Sequence, residues 1–74
     1  MIKVAMLNCA GLRPHIEDIR KDYSLLNADI LILVEISLAE NDNFNGLDIK
    51  EYEKTIFNVS RGKGIAVYLS LIHI

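Results

Sequence analysis

The chain has no tryptophan, a single cysteine and a single proline. One cysteine excludes an internal disulfide, and no Cys/His grouping has the spacing of a structural zinc site. Long apolar runs are missing too. Ile30–Val34 and Ile65–Leu69 are the longest, at five residues each, whereas a membrane span needs about 20. Lys3 is followed only by Val4–Leu7 before Asn8, too short for a signal-peptide core. A lone thiol without a secretion signal points to an intracellular protein, nuclear or cytoplasmic. No excess of positive charge exists either. Eight basic and ten acidic residues give a net charge of −2, which is not the footprint of an electrostatic nucleic-acid binder. A nucleic-acid substrate would need basic surface from further sequence, or a bound metal ion.

What is present is apolar surface. Of 74 residues, 51% are hydrophobic, and the mean hydropathy is +0.25. A chain this short is at most one small domain and buries only about 60% of the surface its unfolded form exposes. A single core of this size seldom supplies more than a few kcal/mol. So much apolar surface predicts a piece of something larger.

Ile2–Leu7 reads as a short buried strand, ended by the turn residues of Asn8–Pro14. Pro14–Asn27 has Ile16, Ile19, Tyr23 and Leu26 spaced as one helix face, with Glu17, Asp18, Arg20, Lys21 and Asp22 opposite. Pro14 suits a first helical turn, and Glu17 and Asp18 lie toward the positive end of the dipole. Asn27–Asp29 breaks the helix. Asp29–Ile36 is continuously apolar up to Glu35, which predicts a strand covered on both faces. Strand, helix and strand make a parallel, right-handed crossover unit. Ala39–Leu47 is a polar, turn-prone loop. Lys50–Asn58 and Gly64–Leu69, joined through Ser60–Gly64, predict a hairpin whose first strand lies near an edge. The class is α/β, or α+β: strand, helix, strand, then hairpin.

Two polar residues stand out. Asn8 ends the first strand, and Glu35 interrupts the apolar run near the end of the second. Parallel strands bring their carboxyl ends to one edge of a sheet, where ligand sites of such sheets gather. The pair is therefore expected at one cleft. A glutamate after such a run is costly to bury unless it is paired or binds a cation. Magnesium, which takes one or two protein carboxylates plus water and phosphate oxygens, fits that demand. Plainer readings stand beside these. Glu35 is also what the first solvated residue of a strand end looks like, and Asn8 is a common turn former. Cys9 reads as a small buried side chain with no base to activate it. His15 reads as a surface residue of the first helical turn. Gly62-Lys63-Gly64 lacks the P-loop pattern and reads as a hairpin turn. Asn41–Asn45 has the composition but not the spacing of a calcium loop.

Three segments carry a resemblance. Asn8-Cys9-Ala10-Gly11-Leu12 resembles the N-x-x-G-L opening of the endonuclease/exonuclease/phosphatase superfamily. Asn27–Glu35 (NADILILVE) resembles its A-D-I-L-x-L-x-E segment, and Arg61–Tyr68 (RGKGIAVY) its R-G-x-G-[IV]-A-[IV]-Y strand. They occur in the family's order. Leu7–Ile19 is most similar to the endonuclease domains of retrotransposons and other mobile elements. The resemblance implies the N-terminal part, residues 1–68, of a four-layer α/β/β/α sandwich with two sheets packed face to face. It implies metal-assisted attack of water on a phosphodiester, with DNA as substrate. Glu35 would match the ligand for Mg2+ (or Mn2+), and Asn8 the asparagine that helps hold the metal site and the scissile phosphate. The family's later tyrosine or histidine, Asp-x-Asn pair, further aspartates and Ser-Asp-His have no counterpart here, since His73 follows Leu71-Ile72. The chain as given is therefore expected to be inactive, and its unpartnered apolar face to make it poorly soluble.

Two alternatives stay open. One is a lipid or inositol-phosphate phosphatase of the same superfamily; the other is a non-catalytic small α/β binding module. The end of the chain carries its own expectation. Leu69–Ile74 (LSLIHI) can be back-translated to the transposon end sequence used in sequencing-library adapters, so residues 69–74 are expected to be non-native. A genuine apolar strand end is the alternative.

Overall fold

The computed structural model describes residues 1–57, 59 and 63–72. Ser60, Arg61 and Gly62 of the expected hairpin turn, and His73 and Ile74 of the suspected tail, lie outside the described residues. The described part is a small α+β domain: a four-stranded mixed sheet with one helix.

The strands are β1 (Val4–Asn8), β2 (Ile30–Val34), β3 (Tyr52–Phe57) and β4 (Ile65–Ser70), and α1 spans Leu12–Arg20. The sheet order is β1-β2-β4-β3. β1 and β2 are parallel, as a strand–helix–strand unit requires, while β4 runs antiparallel to both β2 and β3. β3 lies at an edge, as its weaker apolar pattern predicts. β4 runs through Leu69 and Ser70, and buried Ser70 donates its N–H to the Asp29 carbonyl at 2.8 Å.

The helix is shorter than its apolar spacing predicts, ending at Arg20 instead of Asn27. Asp22 causes the early stop. Its carboxylate accepts the Ser24 N–H at 3.1 Å and the Ser24 hydroxyl at 2.5 Å. That local turn competes with helix continuation, and the Leu25 and Leu26 N–H groups close back on the Asp22 carbonyl. Of the four predicted face residues, Ile16 and Ile19 are buried, Leu26 is half-buried and Tyr23 is exposed. The helix begins earlier, at Leu12, which places Pro14 within its first turn, where no intrahelical donor is lost.

The core lies on one side of the sheet only. Leu31, Leu33, Ala66 and Tyr68 point toward Leu12, Ile16 and Ile19 of α1 and toward Ile36, Leu38, Leu47 and Ile49 of the long 35–51 connection. The connection is polar at its tip, as expected, but supplies a good part of the core. Arg13 binds Asp42 and the Asn45 carbonyl; Arg20 binds the Gly46 and Asp48 carbonyls. The Tyr68 hydroxyl donates to the Leu47 carbonyl at 2.5 Å. β2 therefore differs from the expectation of two covered faces. Leu31 and Leu33 are buried, whereas Ile30, Ile32 and Val34 on the opposite face are only half-buried. No helix among the described residues is long and apolar enough to cross a membrane.

Candidate functional site

Parallel pairing aligns Asn8 with Val34, so the carboxyl ends of β1 and β2 share one rim. Asn8 is the last residue of β1, and Glu35 follows β2 directly. Their side chains meet: Asn8 Nδ2 donates to Glu35 Oε2. Asn8 Oδ1 accepts the Ala10 N–H at 3.1 Å. An N–H donor on one side and a carboxylate on the other allow only this orientation of the amide. Both side chains are exposed, so the carboxylate is open to solvent.

The backbone that makes this corner is unusual. Ala10 has φ 46° and Glu35 has φ 54°, left-handed conformations that cost a residue with a side chain about 1 kcal/mol or more. Neighbouring hydrogen bonds hold them. Cys9 donates to the Val34 carbonyl at 3.1 Å, Gly11 to Glu35 at 2.9 Å and Leu12 to Ile36 at 2.8 Å. From the other side, Ser37 donates to the Lys63 carbonyl at 2.9 Å. The first donors of α1 are thus satisfied by backbone carbonyls past β2, not by a capping side chain. Gly11 has φ 104°, and a Cβ there would sit 3.3 Å from Pro14 Cγ, so this turn requires glycine.

Cys9 is buried beside the pair, its thiol 3.4 Å from the Val34 carbonyl. Burial pushes its pKa up, with the Glu35 charge adding to the effect. A thiol held protonated is a poor nucleophile, in line with the sequence reading. On the helix side of Asn8 lies an open cleft of about 360 Å³ that also touches Cys9, Ala10, His15, Asp18 and Asp22. His15 Nδ1 lies 2.8 Å from the Gly11 carbonyl, so that nitrogen carries the proton. Two aspartates along the cleft make it a poor seat for a bare phosphate. In Asn41–Asn45, the Asp42 carboxylate is taken up by Arg13 and the Phe44 N–H, and Asn43 accepts the Asn45 N–H. That segment is a pinned turn.

As a metal site the rim is partial. Among the described residues, no group of three or more His, Cys, Asp or Glu side chains gathers to hold an ion. Glu35 offers one open carboxylate, and Asn8 spends its amide on orienting that carboxylate. This donor set fits a hydrated magnesium ion, which needs one or two protein carboxylates and takes its remaining ligands from water and phosphate. It does not fit an ion that needs an all-protein cage.

The sequence singled out Asn8 and Glu35, and the structure brings them into contact. It did not reveal Ala10 and Glu35 in left-handed backbone or Arg13 as the anchor of the long connection. Asn8–Pro14 was read as a turn, and Gly11 within it is where the positive φ falls most strongly. No protein-family model matches the chain, and no curated protein does. Fold and rim together define a class: a small α+β domain whose parallel strand pair presents an amide-oriented carboxylate.

Proposed function

We propose that this chain is the N-terminal part of a magnesium-dependent phosphodiesterase of the endonuclease/exonuclease/phosphatase superfamily, a DNA endonuclease of a mobile element. The observation that carries this reading is the Asn8–Glu35 contact at the shared rim of β1 and β2. In the whole domain a second sheet covers the open face of this one, giving the four-layer sandwich. The half-buried aliphatic side chains of β2 and β4 support that arrangement.

Glu35 would hold Mg2+ (or Mn2+), and Asn8 would fix the rotamer of its carboxylate. When bound, the ion supplies charge neutralisation at the phosphate oxygens. The Asn8 amide holds the Glu35 carboxylate, and backbone hydrogen bonds on either side of Glu35 hold the left-handed turn that carries it, so the arrangement stands without substrate. Preorganisation of this kind is what electrostatic catalysis requires. The chain has no Ser-Asp-His or Asp-x-Asn to activate water, so on this reading it is inactive by itself.

The test uses the longer reading frame, with magnesium-dependent nicking of supercoiled DNA as the readout. Glu35→Gln is expected to lower the rate by about 100-fold or more, in the range seen when one preorganised electrostatic group is removed. Asn8→Ala should lower it less and raise the magnesium concentration needed. Unchanged nicking by Glu35→Gln, or a native downstream sequence without Asp-x-Asn and Ser-Asp-His, overturns the proposal.

A further inference from the structure

Glu35 has a neighbour on each side of the rim. On one side Asn8 of β1 is aligned with Val34 and holds the Glu35 carboxylate. On the other side stands the start of β4. Val34 pairs with Ile65, the Ile36 N–H donates to the Gly64 carbonyl at 3.4 Å, and the Ser37 N–H donates to the Lys63 carbonyl at 2.9 Å. These contacts bracket Glu35 and fix the Lys63 backbone beside it, across one strand spacing of about 4.8 Å. The Lys63 side chain is exposed.

Charge around the rim is uneven. The cleft on the α1 side of Asn8 carries Asp18 and Asp22. The other side-chain cations among the described residues are committed or distant. Arg13 is held by Asp42, Arg20 by Glu17 and the Gly46 and Asp48 carbonyls, and Lys54 by Asp48. Lys3 precedes β1, Lys50 precedes β3 and Lys21 follows α1, so all three lie toward the opposite end of the sheet. Among the described residues, Lys63 is therefore the one cation at the rim that no described carboxylate takes up.

We propose that Lys63 binds a backbone phosphate of the substrate, next to the phosphate at Glu35, so that the polynucleotide crosses the rim on the β4 side and not along α1. The proposal rests on the nuclease reading and deepens it by giving the substrate a path. A chain of net charge −2 does not draw in a polyanion by its overall field. Any hold depends on local cations placed where the nucleic-acid backbone runs. Lysine suits this contact: a point charge on a flexible stem meets a phosphate without fixed geometry and without reading sequence. The hydrogen bond from Ser37 anchors the base of that stem next to Glu35. On the other flank, Asp18 and Asp22 repel a phosphate backbone.

The test uses the longer reading frame carrying Glu35→Gln, which is expected to bind DNA without cutting it. The readout is fluorescence anisotropy of a short labelled DNA duplex through a salt titration. Adding Lys63→Gln is expected to weaken binding about fivefold. It should also flatten the slope of log affinity against log salt by about 0.9, the value of one phosphate contact. Lys63→Arg should keep both, and Lys21→Gln, at the far end of α1, should change neither. With Glu35 intact, Lys63→Gln should raise KM for duplex nicking and leave kcat unchanged. A slope unchanged by Lys63→Gln, or flattened equally by Lys21→Gln, overturns this contact; if Glu35→Gln still abolishes nicking, the nuclease reading stands. Nicking that survives Glu35→Gln removes the nuclease reading, and a longer protein that does not bind the duplex removes both.

Discussion

Glu35 combines two properties that pull against each other: a left-handed backbone and a side chain that carries the proposed chemistry. Glycine adopts that backbone without cost. Glu35→Gly is therefore expected to raise stability by up to about 1 kcal/mol, measured by urea unfolding, while removing magnesium-dependent activity from the longer protein. Gly11→Ala goes the other way. With φ at 104° and a Cβ forced against Pro14, it should destabilise the fold by about 1–2 kcal/mol in the same assay. Tyr68 gives a pH signature. Burial pushes its phenol up to about 12, so the fold favours the protonated form. That stabilisation is fully present below the unfolded value of about 10 and is lost as pH rises through about 12. Circular dichroism of wild type should show a steep alkaline loss of structure, shallower in Tyr68→Phe. At this scale the sequence was legible where a polar residue interrupted an apolar run, as at Asn8 and Glu35. It was not legible where the cause was backbone geometry, as at Ala10, because alanine gives no sign of a left-handed turn.

The elements were legible to different depths. β1, β2 and β4 follow from short apolar runs and lie where those runs are, and β3 lies within the alternating Lys50–Asn58 segment. The helix was overestimated at its C-terminal end because apolar spacing continues through Tyr23 and Leu26, while the Asp22–Ser24 turn that stops it is a local hydrogen-bond effect. Within the 35–51 connection, Ala39–Leu47 was read as a polar loop. Its burial of Leu38, Leu47 and Ile49 depends on contacts with α1 that spacing cannot show. Arg13 clamps its tip, gripping Asp42 and the Asn45 carbonyl, while Arg20 holds the Gly46 and Asp48 carbonyls. Arg13, together with the Phe44 N–H, holds the Asp42 carboxyl below its ordinary range. The linked stability is present above the unfolded carboxylate value and is lost as pH falls through the lower folded one. Arg13→Ala should free this segment first: limited proteolysis within residues 39–46 is expected to speed up severalfold, with α1 still protected from hydrogen exchange. Unchanged cleavage would assign the hold to Arg20 and the buried Leu38, Leu47 and Ile49.

At the level of the whole molecule, the resemblance, not composition, implied an apolar face left without its second sheet, and the structure shows a partly exposed apolar face carrying Val4, Met6, Ile32 and Val67. The strand order β1-β2-β4-β3 has a temporal consequence. β4 is the last of the four strands to be synthesised, yet it sits between β2 and β3 and gives both their antiparallel partner. Until residue 70 has left the ribosome, β3 has no ladder to join and β2 is paired along one edge only. The β4–β3 half of the sheet therefore assembles only after β4 is translated, while the β1–β2 pair can form before it. Nascent chains stalled before Ile65 should remain protease-sensitive from Tyr52 onward and engage chaperones that bind extended apolar segments.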